Sequence, residues 1–441
     1  MGAFVSLFGL GSAFGATPEY ITNERAVVTA IEDLQTPIEG LDPVVIDREP
    51  GVVGETAGSY LPALEELFSE AVFTFAPRAY YFRRTDGGNV REEAAVGGTA
   101  TLVTGWWRDF VRFGLSGSTS QALYTLEGRS GTGLLQSDGS SYWTRGEGYL
   151  EIKGGDLFVI KGPWQELELP FLNINDTRMT PVIHEAWLAY SDAIPGLRLG
   201  AGHVTRLKLR NETSFRALSD VAGAAGTNRG ATFGGGLYEW REGESNIGLL
   251  SVYGWDSFHS LYAESNHDFE LGEEIEINLT TQWVEQESVG DELVGGFDTH
   301  ALGLQAAVEY EGVVGSLSYT SVGNGGEIQN PWGGSPLINS LMISDFDRAG
   351  EDTWRVGVST SFDEFGFPWA SISASYAHGD TPDFGPIASV DQEEFNVTLD
   401  IKPGDGPFEG VWVRFRQAWN EGLRGVDHDN FRIIVNYSHD F

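Results

Sequence analysis

Cysteine is absent from the 441 residues, which removes disulfide frameworks, thiol nucleophiles and cysteine-ligated zinc in one step. Long apolar runs are missing too. None approaches the roughly 20 residues that a membrane-crossing helix needs, so if this chain crosses a bilayer, strands must do it. Basic side chains are scarce, 27 Lys and Arg against 64 Asp and Glu, for a formal net charge of -37. Phosphates would be repelled, which argues against nucleic acid as a partner; such acidity suits hydrated, cation-screened loops and a saline habitat. What is plentiful is glycine, 58 residues, with aromatics at 12%. The length admits two or three soluble domains or one large barrel, and this composition favours the barrel.

Residues 1–16 have an apolar core ending in small residues, which reads as the second half of a secretory signal with cleavage near Gly15 or Ala16. The basic n-region of such a signal is missing, since no Lys or Arg precedes Arg25. Residues 17–70 form an acidic extension rich in Pro and Gly without sustained alternation, read as partly disordered. Leu61, Leu64, Leu67 and Phe68 recur there at helical spacing and predict a short helix.

From residue 71 onward the period is two. Phe431, Ile433, Val435, Tyr437, His439 and Phe441 face one way, while Arg432, Asn436, Ser438 and Asp440 face the other. The pattern recurs in Ile275, Ile277 and Leu279 against Glu276, Asn278 and Thr280. It returns in Val313, Leu317 and Tyr319 against Ser316, Ser318 and Thr320, and in Ile372, Ala374 and Tyr376 against Ser371, Ser373 and Ser375. Alternation alone fits a soluble sandwich or a membrane barrel. The joins separate the two, because short ones (105–108, 154–155, 192–195, 241–243, 311–312) alternate with long ones (121–147, 162–182, 210–230, 322–352, 379–392). Outer-membrane barrels keep short turns on the periplasmic side and long loops outside. Residues 71–441 are therefore read as an all-β, transmembrane antiparallel barrel of about 18 strands, wide enough for an aqueous channel. Phe441 ends the last strand, as is common in such barrels, and Trp106, Trp107, Trp187, Trp240, Trp354 and Trp419 fit interfacial girdles.

Several segments, in order along the chain, resemble the OprD family of substrate-selective outer-membrane porins. Arg78-Ala79-Tyr80-Tyr81-Phe82-Arg83-Arg84 is similar to its opening strand. Leu169-Pro170-Phe171-Leu172 followed by Asn175-Asp176-Thr177-Arg178-Met179-Thr180-Pro181 is similar to its third loop, and the stretch from Gly202 to Asn211 to a strand with spaced basic residues. Residues 362–380 resemble a later hairpin of the family, and Val411-Trp412-Val413-Arg414-Phe415-Arg416 its Arg-x-Arg strand. The resemblance implies an eighteen-stranded, monomeric or loosely trimeric barrel in the Gram-negative outer membrane, among lipid and lipopolysaccharide. Its third loop would fold inward to constrict the pore, and a ladder of basic side chains would guide carboxylate-bearing solutes. Ser373 and Ser375 depart from the pattern, standing where relatives often carry basic residues, as does Asp400 where Lys is common.

The residues themselves supply the candidates. Arg414 and Arg416 share a strand face opposite Val411, Val413 and Phe415, and a lipid-facing Arg costs about 2–4 kcal/mol at mid-membrane, so both are assigned to the lumen. They either attract carboxylates or pair with lumenal acids across the barrel. Arg178 lies beside Asp176 on the constriction loop, as a guide for solute or as half of a local ion pair. Arg78, Arg112 and Arg432 alternate with apolar neighbours and are further lumen candidates. Arg206, Lys208 and Arg210 share one face, rising from lumen to rim. Asp345, Asp347 and Glu351 form a second, acidic wall or an ordinary solvated loop.

Signals for catalysis are poor, and no cofactor or metal is called for: His184-Glu185 begins a zincin motif but position 188 is Leu, and no nucleophile elbow or phosphate loop is present. His439 reads as an interfacial residue. The expected function is selective passive uptake of small polar, carboxylate-bearing solutes such as organic acids or amino acids. The alternatives are a general diffusion porin and, behind it, a barrel enzyme or adhesin.

Overall fold

The computed structural model describes residues 67–441 other than 273, 405 and 407. The signal-like segment and nearly all of the acidic extension lie outside the described residues; of the expected helix only 67–69 are described, and they are helical.

Strand-forming alternation is realised as an inside-out barrel. On Val313–Val322, Leu317 is 59% exposed and Tyr319 42%, while Ser316, Ser318 and Thr320 between them are buried. A water-soluble sandwich buries the apolar face; here that face is outward and the hydroxyls are enclosed, which is the polarity of a barrel whose solvent is lipid.

The chain order is β1 (Val72–Asp86), β2 (Asn89–Val103), β3 (Val111–Thr125), β4 (Tyr142–Lys153) and β5 (Val159–Gln165). A small hairpin, β6 (Glu168–Leu169) and β7 (Leu172–Asn173), follows before β8 (Ile183–Ile194), β9 (Leu197–Lys208) and the two-residue β10 (Arg216–Ala217). After helix α1 (Leu218–Val221) come β11 (Ala231–Trp240), β12 (Ser245–Gly254), β13 (Phe258–Glu270), β14 (Ile275–Ser288), β15 (Asp298–Tyr310) and β16 (Val313–Val322). The last six are β17 (Asp352–Phe362), β18 (Phe367–Asp380), β19 (Gln392–Ile401), β20 (Val411–Glu421), β21 (His428–Tyr437) and β22 (His439–Asp440). Eighteen of them form the barrel wall, every pairing antiparallel, and β1 closes it by pairing with both β2 and β21. No strand edge is left along the wall, as a lipid environment requires. The closing seam also ties Phe441 to Phe73 by reciprocal backbone hydrogen bonds of 2.9 and 3.3 Å.

Connections sort by end. At the end holding Phe441 they are short, as at Glu311-Gly312, where both residues take the left-handed conformation (φ 48° and 70°) of a tight two-residue turn. At the other end lie loops 126–141, 166–182, 209–230, 289–297, 323–351 and 381–391, with three short joins at 87–88, 255–257 and 422–427. The long loops fold into the bore. Leu167, Leu169, Phe171, Leu172, Trp332 and Leu337 from loops 166–182 and 323–351 pack on inward-facing Val204, Phe233, Val252, Tyr262 and Val284. This half of the wall therefore alternates less cleanly, because its inner face meets a protein core instead of water. Aromatic pairs such as Phe395 with Trp419 (5.7 Å) and Tyr238 with Trp240 (5.6 Å) ring the outer surface near the two rims.

Candidate functional site

Loop 166–182 crosses the barrel. Its first half is apolar and lies on the wall of the core just described, with Phe171 edge-on to Tyr262 of β13 at 6.1 Å. Its second half is polar and reaches the far side. Asp176 accepts two hydrogen bonds from Arg78 of β1, at 2.6 and 2.7 Å, and Arg78 is held in turn by Asn436 of β21 at 2.7 Å. β13 and β1 stand on opposite sides of the wall, so these two anchors stretch the loop across the bore. Asn173 joins it to loop 323–351, accepting from the Gly334 N–H at 2.7 Å and donating to the Gly334 carbonyl at 3.1 Å.

The second half faces a basic wall. Arg414 and Arg416 on β20 and Arg432 on β21 all point inward, and Arg416 stands directly opposite Arg432 in the register. Phe82 of β1 is the next residue in that row; the guanidinium of Arg432 lies 4.8 Å from its ring centre and that of Arg178, from the loop tip, 4.9 Å. One aromatic ring thus positions cations from the wall and from the loop. Arg178 also donates to the carbonyls of Thr132 (2.9 Å) and Thr177 (2.6 Å).

One acid tempers this field, and two others are held toward their neutral form. Asp400 of β19 takes a bidentate pair from Arg414, at 2.7 and 3.0 Å, and a third bond from Trp412 Nε1 at 2.7 Å. Glu166, at the start of the loop, is half-buried; desolvation, reinforced by Glu147 and Asp176 nearby, raises its carboxyl well above the ordinary range. In loop 323–351 burial likewise raises Asp347, with Asp345 and Glu327 adding to the effect.

A wide β-barrel with a crossing loop and an arginine wall narrows the comparison to channel-forming families. The model of the outer membrane porin, OprD family, matches residues 66–441. The chain belongs to the OprD family. It is 24% identical over 399 residues to Porin D of Pseudomonas aeruginosa, covering 82% of this chain and 88% of the relative. The crystal structure of Pseudomonas aeruginosa OpdK with vanillate superposes with a TM-score of 0.78 at 22% identity, over 85% of this chain and all of that one. That of Pseudomonas aeruginosa OccK9 (OpdG) gives 0.80 at 23%, covering 86% of this chain and all of its own. The protein is thus a porin of the Gram-negative outer membrane, with its long loops outward and Phe441 at the periplasmic end.

Within this OprD-family barrel the candidate residues separate into groups. Arg78, Arg178, Arg414, Arg416, Arg432 and Asp176 converge on the constriction. Asp176 pairs with Arg78, a bond across the loop-to-wall gap rather than one confined to the loop. Arg112 lies toward the periplasmic end of β3, paired with Glu151 and stacked over Trp106 at 4.7 Å. Arg206 and Lys208 do not continue the lumenal face. The strand is bulged at Thr205, where Glu185 pairs with Arg206 but the next residue, Ala186, pairs with Val204. Val204 and Leu207 both enter the inner core, which leaves Arg206 exposed on the outside and Lys208 fully enclosed. Arg210 instead reaches the constriction loop, donating to Asn175 Oδ1 at 2.9 Å. Asp345, Asp347 and Glu351 shape their own loop, Glu351 binding Arg348 at 2.7 Å and Asp345 accepting from Ser340 at 2.6 Å. Sequence reasoning passed over Phe82 as a cation platform and Arg355 of β17 as a lumenal residue. Arg355 was within reach of the same two-residue period, lying between Trp354 and Val356.

Proposed function

We propose that this porin admits small carboxylate-bearing solutes, organic acids or amino acids, by passive diffusion past loop 166–182. The observation that carries the reading is the opposed pair Arg416 and Arg432, set on one inner wall with Arg414 and Arg78 and facing the loop tip that bears Arg178. Planar guanidinium groups in this arrangement attract a carboxylate and orient it by paired N–H bonds. A solute descends along them, exchanging one cation for the next, and leaves because no single contact is strong. Vanillate, a carboxylate, is the ligand named with OpdK, which supports the same chemistry here.

General diffusion is the second reading, favoured by the neutralisation of Arg414 by Asp400 and of Arg78 by Asp176. Planar-bilayer recordings with small aromatic and aliphatic carboxylates separate the two. A selective channel shows carboxylate block and an anion-biased reversal potential, and the double variant Arg414→Ala, Arg416→Ala weakens the block roughly tenfold, the worth of one charge-assisted hydrogen bond. Absence of block in the parent, or an unchanged block in the variant, returns the protein to general diffusion.

A further inference from the structure

Among the described residues, a lumen-facing cation elsewhere in the barrel has no counter-charge. Arg355 alternates with the exposed Trp354 and Val356 and is 3% exposed. Loop 323–351 covers this stretch of the wall, fastened by Asn339, which accepts from Ser318 Oγ at 2.6 Å and donates to the Thr353 carbonyl at 2.9 Å. Among the described residues Arg355 makes one side-chain hydrogen bond, to Gln305 Oε1 at 2.9 Å, and no carboxylate approaches to ion-pair distance. Gln305 is two strands away, its β15 position paired with Ser318 and Ser318 with Arg355, so the side chain runs across Ser318.

Hydroxyls flank that path. Ser316 and Thr320 lie two residues to either side of Ser318 on β16, and Thr353 stands opposite Thr320. Ser316 Oγ, Thr320 Oγ1 and Thr353 Oγ1 are buried without a hydrogen-bond partner among the described residues. Gly357, opposite Ser316, keeps the space beside Arg355 open; a Cβ there would stand 2.6 Å from Ser316 Oγ. Buried hydroxyls are ordinarily satisfied, and a guanidinium cannot escape burial by losing its proton. Both sets of groups ask for the same thing, a compact acceptor with negative charge.

We propose that Arg355, with the hydroxyl of Ser316 or of Thr320 on one side of it, binds a small monovalent anion, a halide or a carboxylate group, beneath loop 323–351. The site stands apart from Arg414, Arg416 and Arg432 and would be present in a selective or a non-selective porin alike. Its anion completes the charge balance of β17 and secures the overlying loop.

The test uses the full chain purified in detergent. Crystals soaked in bromide should show an anomalous peak within hydrogen-bond distance of the Arg355 side chain and of Ser316 or Thr320. In solution, replacing gluconate by bromide at constant ionic strength should raise the guanidinium midpoint of unfolding. Arg355→Met, which keeps length without charge, should weaken the bromide dependence roughly tenfold or more; Ser316→Ala with Thr320→Val keeps the charge and should weaken it less. Displacement of bromide by acetate would identify the site as one carboxylates enter, whereas retention would define it as a halide site; either supports an anion at Arg355. No anomalous peak there in bromide, or the same bromide dependence in the parent and Arg355→Met, overturns it.

Discussion

Arg414 shows how much a single neighbour decides. Its guanidinium would project a full charge into the lumen, but Asp400 accepts from its Nε and Nη2 and is itself fixed by Trp412 Nε1. With both side chains almost completely enclosed, the pair presents little net field to a passing solute. Asp400→Asn should therefore release the charge. We expect a shift of reversal potential toward anions in a salt gradient, together with a loss of about 3–5 kcal/mol in stability, since one partner of a buried pair is left behind. Both are measurable on one preparation, by bilayer recording and guanidinium unfolding; an unmoved reversal potential would mean that Arg414 is screened by something besides Asp400. The inward direction of Arg414 was legible from the two-residue period alone. Its partner was not, because the pairing of Asp400 with Arg414 depends on the register set by residues 402–410, and a single sequence does not display register.

Among elements, loop 166–182 carries the most consequence. Its Leu-Pro start and Asp-x-Arg tip resemble the family's third loop, and that resemblance implied a constriction, while the alternation of short and long joins showed only a long connection over residues 162–182. What the sequence could not convey was its path, which depends on an aromatic contact at Tyr262 and a bidentate bond at Arg78, residues remote from the loop in the chain. The bulge at Thr205 was invisible for a similar reason: an ideal strand would have carried Arg206 and Lys208 along one lumenal face, and one additional residue turned Arg206 outward and left Lys208 enclosed. The loop also contains a titratable strain. Burial and the neighbouring Glu147 and Asp176 raise the Glu166 carboxyl, so the folded protein keeps this proton at pH values where the unfolded chain has released it. Stability must then fall as pH rises from the ordinary carboxylate range through the raised one, and be fully present below it. Unfolding midpoints in guanidinium between pH 5 and 8 should decline in the parent by the equivalent of about 1 kcal/mol or more, with the decline reduced in Glu166→Gln. An equal slope in both proteins would assign the pH dependence to other carboxylates.

For the whole molecule the governing fact is inverted polarity, with lipid outside, water and folded loops within. This was the most legible feature, since it follows from period-two patterning, from loop asymmetry and from the absence of any apolar helix. It also explains why the loop-bearing side of the wall was harder to read: Val204, Phe233 and Val252 face inward as apolar residues because loops cover them. Adjacent positions on β18 put the inversion to the test. Ala374 faces lipid near the middle of the strand, and Ser373 faces the lumen in the row that continues through Thr398 to Arg416 and Arg432. Ala374→Arg should cost about 2–4 kcal/mol, the depth-dependent price of a guanidinium in hydrocarbon, measured by unfolding from lipid vesicles, and leave ion selectivity unaltered. Ser373→Arg should fold with little penalty and extend the basic wall by one rung, raising anion preference and deepening carboxylate block. Because the two variants add the same charge one residue apart, any explanation by net charge predicts equal effects; only a wall with lipid on one side and a guiding channel on the other predicts that stability responds to position 374 and permeation to position 373.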